Sequence, residues 1–388
     1  MTSVPRLALA ASVFVGLAAT ATSVHASDCP VHPTWPTAGF PRRTDETARL
    51  YADRVKALED YAFTIEGADA DHVGVRTDSV VIVHQGAIFY ERHARGYTAS
   101  MPHYAWSVTK SITSLLAGIA VGRGDLSMDR SVCAAIPNAP ESACKITLTN
   151  LLEFASGLDW NETYEGKSNQ ESSVLAMLYG QGHGDMAKFV LDHPFRDEPG
   201  TSYMYSTGDS VAIAAMVDHA LRPSLGDDYP WTVLFDPLGM SSATLERDGS
   251  NTHVGGSYLY ASPEDYAKVG YFLLSDGCWN DARILPEGWI EEGTAVSAPF
   301  RAKPLGREPG DVQGRQFWLN RVVPGIADTL PWPDVPDDAF AALGHWGQSI
   351  TVIPSRDVVV VRTADDRDKT FDLGKFLALA LAVVGDAP

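Results

Sequence analysis

The chain has 388 residues, is 45% hydrophobic and carries a net charge of −19, enough apolar content for one large core or two lobes. So acidic a surface repels phosphate backbones and excludes nucleic acid as a partner, while leaving a small-molecule substrate open. None of the 11 histidines stands in His-x-x-x-His or His-x-His, so neither a metal site nor a cofactor is expected.

The chain opens with Arg6, an apolar stretch over 7–19 and small residues ending in Val24-His25-Ala26. This pattern predicts a signal peptide over residues 1–26 and a periplasmic or secreted mature protein. The apolar stretch is too short to span a bilayer, and no later run of 18 apolar residues occurs, so no membrane anchor is expected after cleavage. Cys29, Cys133, Cys144 and Cys278 then meet an oxidising compartment, where two disulfides can form in three connectivities. A short loop containing Pro137 and Pro140 favours Cys133 with Cys144; Cys29 with Cys278 would tie the mature N-terminus to the body. No Cys-x-x-Cys pair argues for redox or metal chemistry.

Helical patterning over 46–61 is followed by Val-Val-Ile-Val-His and Ala-Ile-Phe-Tyr-Glu, two strand-like runs joined at Gln85-Gly86, a hairpin signal. Further helices are predicted over 149–154, 172–179 and 209–221, separated by Gly and Pro clusters. Residues 316–320 supply a fifth strand, 349–362 a second hairpin turning at Pro354-Ser355-Arg356-Asp357, and 373–384 a last helix. The pattern predicts an α/β (α+β) architecture: an antiparallel sheet of five or more strands flanked by terminal helices. A mostly helical lobe over 126–249 interrupts the sheet domain of 27–125 and 250–388. Residues 299–338, rich in Pro and Gly, are placed to cover the cleft between the two.

The chemistry concentrates at Trp-Ser-Val-Thr-Lys-Ser, where Ser107 and Lys110 head an apolar run. Ile112, Leu115, Leu116, Ile119 and Ala120 recur at helical spacing, which puts Ser107 in the first turn of a helix with one buried face. At about 3.6 residues per turn the two side chains share a face, so an uncharged Lys110 amine can take the Ser107 proton. A second Ser-x-x-Lys, Ser142 with Lys145, flanks Cys144 in a Pro-containing segment and reads as surface.

Two later segments provide partners. Tyr205 sits on a loop just before a helix, where a cationic lysine would lower its pKa and let it shuttle protons to a leaving group. Gly344-His345-Trp346-Gly347-Gln348 precedes a strand. Glycine there allows close approach of the backbone, and the N–H groups of Gln348 and Ser107 together make a candidate oxyanion hole. His345 is placed to hydrogen-bond a substrate carboxylate or the tyrosine. A site built between two lobes is where a pocket is expected.

Ser-x-x-Lys at Ser107, Tyr-x-Thr at Tyr205 and His-x-Gly at His345 resemble, in order and spacing, the three motifs of the penicillin-recognising serine hydrolases in the class C β-lactamase branch. The likeness implies a β-lactamase/transpeptidase-like fold, with Ser107 as acylated nucleophile and Lys110 and Tyr205 as its bases. It is nearest the 6-aminohexanoate-dimer (nylon oligomer) hydrolases. Asp159-Trp-Asn-Glu-Thr-Tyr164 resembles the segment that gives those enzymes a second active-site tyrosine, and Gln316-Phe-Trp318 one that supplies a tryptophan. Tyr164 is thereby implied to help the leaving amine. Trp318, Thr207, His345, Trp346 and Gly347 are implied to line the substrate.

β-Lactamases of this branch have Tyr-x-Asn and Lys-Thr-Gly where this chain has Thr207 and His345-Trp346-Gly347, so strong β-lactam turnover is not expected. Val254 likewise replaces a polar residue of the nylon-oligomer enzymes. The expected activity is hydrolysis of a small amide or ester through a Ser107 acyl-enzyme without a cofactor, with D,D-peptidase or weak β-lactamase activity as the alternative. A sensor acylated without turnover is the competing non-enzymatic reading. An α/β-hydrolase is disfavoured because Gly-x-Ser-x-Gly does not occur. The acyl and leaving groups and the oligomeric state are not legible.

Overall fold

A computed structural model describes Met1 and residues 29–30, 35–368 and 370–385; the remainder of the expected signal peptide, 2–26, lies outside the described residues. Helix α1 (Thr44–Leu50) and helix α2 (Ala52–Ala62) replace the single helix expected over 46–61, because Tyr51 leaves helical geometry at φ −126° and ψ 32°. The break lets α1 lie against one edge of the sheet while α2 packs on the last helix.

Strand β1 (Thr77–His84) and strand β2 (Ala87–His93) form the first hairpin. Gln85 and Gly86 both have positive φ, 49° and 69°, the backbone that a two-residue hairpin turn requires. Strands β3 (Trp318–Leu319), β4 (Phe340–Gly344), β5 (Gln348–Ile353) and β6 (Val358–Ala364) complete a six-stranded sheet in the order β3-β4-β5-β6-β1-β2. Every pairing is antiparallel, as the sequence predicts. Strand β4, however, is additional to the expected strands. Its Phe-Ala-Ala-Leu-Gly carries two alanines of low β-propensity, and pairing between β3 and β5 decides its state.

The hydrophobic runs of β1 and β6 have no polar alternation because helices cover both faces of the sheet. Val80, Ile82, Val358 and Val360 face α2 and helix α9 (Leu373–Val384), joining Leu58, Phe376 and Leu377 in one core. Val81, Val83, Ile350, Val352, Val359 and Val361 point the other way into a larger core. There helix α3 (Val108–Gly122) lies against β4 and β5, and helix α8 (Pro263–Leu274) against β1, β5 and β6.

Helix α7 (Thr207–Leu225) packs on α3 from the side away from the sheet, and helices α4 (Leu148–Leu152), α5 (Ser173–Tyr179) and α6 (Met186–Leu191) gather on it. Ser206 caps α7 by accepting the Asp209 N–H at 2.9 Å, fixing where the preceding Tyr205 loop ends. The short strand Tyr203–Met204 pairs in parallel with Pro304–Leu305, which brings part of the 299–338 segment alongside that loop. Disulfides join Cys133 to Cys144 and Cys29 to Cys278, the second across 249 residues. Among the described residues no helix is long and apolar enough to cross a membrane.

Candidate active site

Ser107 directly precedes α3, and its own side chain does not cap the helix. Trp106 before it has φ 49°, and Ala105 is tied by its N–H to the Leu259 carbonyl at 2.8 Å. The hydroxyl is therefore presented from a sharply turned junction and remains partly exposed. One turn on, Lys110 is buried with 2% exposure. Its Nζ donates to Ser107 Oγ at 2.8 Å and to the Gly256 carbonyl at 2.8 Å, and lies 5.1 Å from the centre of the Tyr205 ring.

These contacts set the charge on the amine. Burial penalises the ammonium and brings the Lys110 pKa down to about 8, opposed by the negative charge of Glu162. A substantial fraction of the amine is thus neutral near physiological pH and able to accept the Ser107 proton. By contrast Ser142 and Lys145 lie on the short helix Glu141–Lys145, with Lys145 exposed and paired to Glu198.

Tyr205 is half-buried and its phenol bears directly on Ser107, so the three predicted chemical groups gather around one hydroxyl. The expectation that Lys110 lowers the Tyr205 pKa is reversed. Burial first and the Glu162 charge second raise it, against a smaller lowering by Ser107. Tyr205 is a protonated phenol here, a donor rather than a base. Trp318 closes one side, its ring 5.8 Å from that of Tyr205.

The second tyrosine, Tyr164, is also raised well above its ordinary value, by burial and then by Glu162. It stacks on His345 at 5.1 Å and meets Trp106 edge-on at 6.1 Å. His345 pairs with Glu165 at 2.7 Å, a partner on the Tyr164 loop that sequence reasoning missed, and burial lowers its pKa. Trp346 packs on Trp106 at 5.1 Å and carries Arg367 over its face at 4.2 Å. The loop bearing Tyr164 is thereby clasped to the turn bearing His345.

That turn is held from beneath. Gln348 donates through Nε2 to the Ala364 carbonyl at 2.5 Å and to the His345 carbonyl at 3.2 Å, while its Oε1 accepts the Ala364 N–H at 3.1 Å. Buried Arg362 grips Asp366 through two bonds of 2.6 and 3.0 Å and donates to the Gly347 carbonyl at 3.1 Å. Gly347, at φ 88°, is glycine for a reason other than substrate approach: a Cβ there would lie 2.3 Å from Arg362 and 2.4 Å from Asp366.

Thr207, expected at the substrate, is fully buried with its hydroxyl and N–H both donated to Glu162. Val254 is buried in the core beside the Gly255-Gly256 turn, whose second carbonyl receives Lys110. Gln316 opens the expected strand and the segment that supplies Trp318, with no role of its own expected from the sequence. Its amide bonds the Leu151 and Leu152 carbonyls at 3.1 Å and the Ser210 hydroxyl at 2.6 Å, and its carbonyl accepts from Ser111 at 2.6 Å, joining α3, α4 and α7 behind the nucleophile. Nothing in its spacing announced this.

Residues 63–383 match the family description Beta-lactamase. The chain belongs to the Beta-lactamase family. It is 22% identical over 345 residues to a 6-aminohexanoate-dimer hydrolase of Paenarthrobacter ureafaciens, covering 80% of this chain and 84% of that one. A putative 6-aminohexanoate-dimer hydrolase from Bacillus anthracis shares the fold at TM-score 0.63 and 20% identity, over 80% of this chain and 79% of its own. A putative beta-lactamase from Bacteroides dorei superposes with TM-score 0.63 at 16% identity, over 87% and 97% of the two chains. This Beta-lactamase-family protein is therefore a hydrolase related to 6-aminohexanoate-dimer hydrolase, with the β-lactamase/transpeptidase-like fold.

Proposed function

We propose that this protein cleaves a small amide or ester through an acyl-enzyme on Ser107, acting on short substrates of the 6-aminohexanoate-amide kind. The observation that carries the reading is the 2.8 Å contact between Ser107 Oγ and a buried lysine amine whose pKa is brought down to about 8. Neutral Lys110 takes the Ser107 proton as Oγ attacks the carbonyl carbon, and the oxyanion is met by the N–H groups of Ser107 and Gln348. Tyr205 then gives its phenolic proton to the departing amine or alcohol and is reprotonated from the Lys110 ammonium. Water repeats the cycle on the ester to Ser107. Tyr164, a protonated phenol, assists the leaving amine; His345, Trp346, Gly347 and Trp318 shape the substrate cleft.

The paired cysteines and the signal-like N-terminus support export to the periplasm or medium. Incubation with p-nitrophenyl acetate and intact-mass detection tests the acyl-enzyme. An adduct of one acetyl group is expected on the wild type and not on Ser107→Ala; a burst without steady release would favour the acylated sensor, and an adduct retained in the variant would refute the site.

Tyr164→Phe separates amides from activated esters. Loss of a positioned acid is expected to slow amide cleavage about 10- to 100-fold, against less than about threefold for a nitrophenyl ester, whose leaving group needs little protonation. Parallel kcat measurements on an anilide and its matched ester check this.

A further inference from the structure

One carboxylate beside the reaction centre, Glu162, lies in the Asp159–Tyr164 segment but was given no role by the sequence. Glu162 accepts from the Trp160 indole N–H at 2.5 Å and from the Thr207 N–H at 2.9 Å, and also takes the Thr207 hydroxyl. The Thr207 N–H belongs to the first residue of the 19-residue α7, so the carboxylate also meets the positive end of that helix. Two segments thus converge to hold one negative charge. Geometry ties it to the centre: Thr207 packs so closely on Gly256 that a Cβ on that glycine would lie 2.5 Å from the Thr207 methyl group, and the Gly256 carbonyl takes Lys110 Nζ at 2.8 Å, while Tyr205 stands two residues before Thr207. The charge of Glu162 accordingly favours the ammonium on Lys110 and raises the phenol pKa of Tyr164 and Tyr205 after burial has done so.

We propose that Glu162 is a positioning residue for the Ser107 reaction: anchored by Trp160 and Thr207, its carboxylate favours the ammonium formed on Lys110 and disfavours a lasting phenolate on Tyr205, so the proton gained from Ser107 passes onward to the Tyr205 oxygen. This rests on the acyl-enzyme reading above. The proton balance closes: the Ser107 O–H bond breaks as N–H forms on Lys110, the Tyr205 O–H bond breaks as the leaving group is protonated, and the Lys110 proton restores the phenol. It also accounts for Thr207 at the position where β-lactamases of the branch carry an asparagine. Its N–H and hydroxyl proton both go to Glu162, leaving no donor there for the carbonyl of an acylamino side chain.

Glu162→Gln tests the charge with little change of shape, since a glutamine can accept from Trp160 and the Thr207 N–H while its amide donates to the Thr207 hydroxyl. The charged or titratable groups around Lys110 are Glu162, His345 and the Tyr205 phenol; Asp311 also bears on Tyr205. Removing a negative charge makes the Lys110 ammonium less favourable, so the amine is free at lower pH. The acidic limb of kcat/KM for a nitrophenyl ester is therefore expected to move down by about half a pH unit, with kcat reduced several-fold. Glu162→Asp, which keeps the charge but gives up reach to Thr207, should leave the limb in place and lose kcat. A Glu162→Gln profile that superimposes on wild type overturns the proposal, as does unchanged kcat in Glu162→Asp even if the glutamine variant does not fold. Ser107→Ala, run alongside, separates failures: turnover in that variant removes the underlying site, whereas an inactive Ser107→Ala with an unmoved Glu162→Gln profile removes only the role of Glu162.

Discussion

Exchange of Lys110 for methionine is expected to lower kcat/KM for a p-nitrophenyl ester by about 10³- to 10⁵-fold, because Ser107 loses its proton acceptor and the catalytic groups act as a unit. In the wild type the base is active when neutral, so kcat/KM should rise with pH through about 8, the value to which burial brings Lys110. Stability shifts with the same group. The folded-state pKa lies below the ordinary lysine value of 10.5, so between about 8 and 10.5 the unfolded chain binds a proton that the native chain does not. Stability attributable to Lys110 therefore rises with pH across that window, by up to about 3 kcal/mol. The burial penalty is fully present below it. Urea denaturation of wild type and Lys110→Met at several pH values isolates the effect, since other groups cancel in the difference. A pH-independent difference would show that the lysine keeps an ordinary pKa.

Replacement of Arg362 by methionine should cost about 3–5 kcal/mol, because it leaves the buried Asp366 carboxylate without its guanidinium. Arg362 and Asp366 are 1% and 6% exposed, so little water can take over. The Arg76 N–H at 2.7 Å remains to Asp366 and compensates only in part. The Gly347 carbonyl also loses its donor, so the turn before Gln348 is expected to loosen and kcat to fall more than KM rises. Denaturant midpoints of Arg362→Met, Asp366→Asn and the double variant check the coupling. The double variant should be less destabilised than the sum of the singles, and strict additivity would contradict the pair as described.

What the sequence disclosed follows from how local each signal is. The hairpin at Gln85-Gly86 and the helix following Ser107 are written in contiguous residues, and both were legible. The juxtaposition of Ser107, Lys110 and Tyr205 came from motif order rather than from spacing, since nearly a hundred residues separate the nucleophile from the phenol. The direction of the Tyr205 pKa was not legible, because it depends on how deeply the fold buries the phenol and on a carboxylate, Glu162, brought up from 43 positions earlier. Strand β4 escaped notice because its alanines become strand only between two partners. Glu162, Gln316 and Arg362 act through contacts with residues 45, 165 and 15 positions away respectively, distances at which no periodicity reports.

The order of the sheet carries a consequence for how the chain reaches its native state. Because β6, near the end of the chain, lies beside β1, with Val81 opposite Val361, the central ladder has a sequence separation of some 280 residues. Residues 148–225 can gather their helices early, but the first hairpin keeps an unpaired edge until β6 has been synthesised. A nascent chain lacking residues 358–364 is thus expected to expose Val80–Val83 to chaperones or to aggregation. Loss of the seven residues of β6 would then be far more damaging than their number suggests.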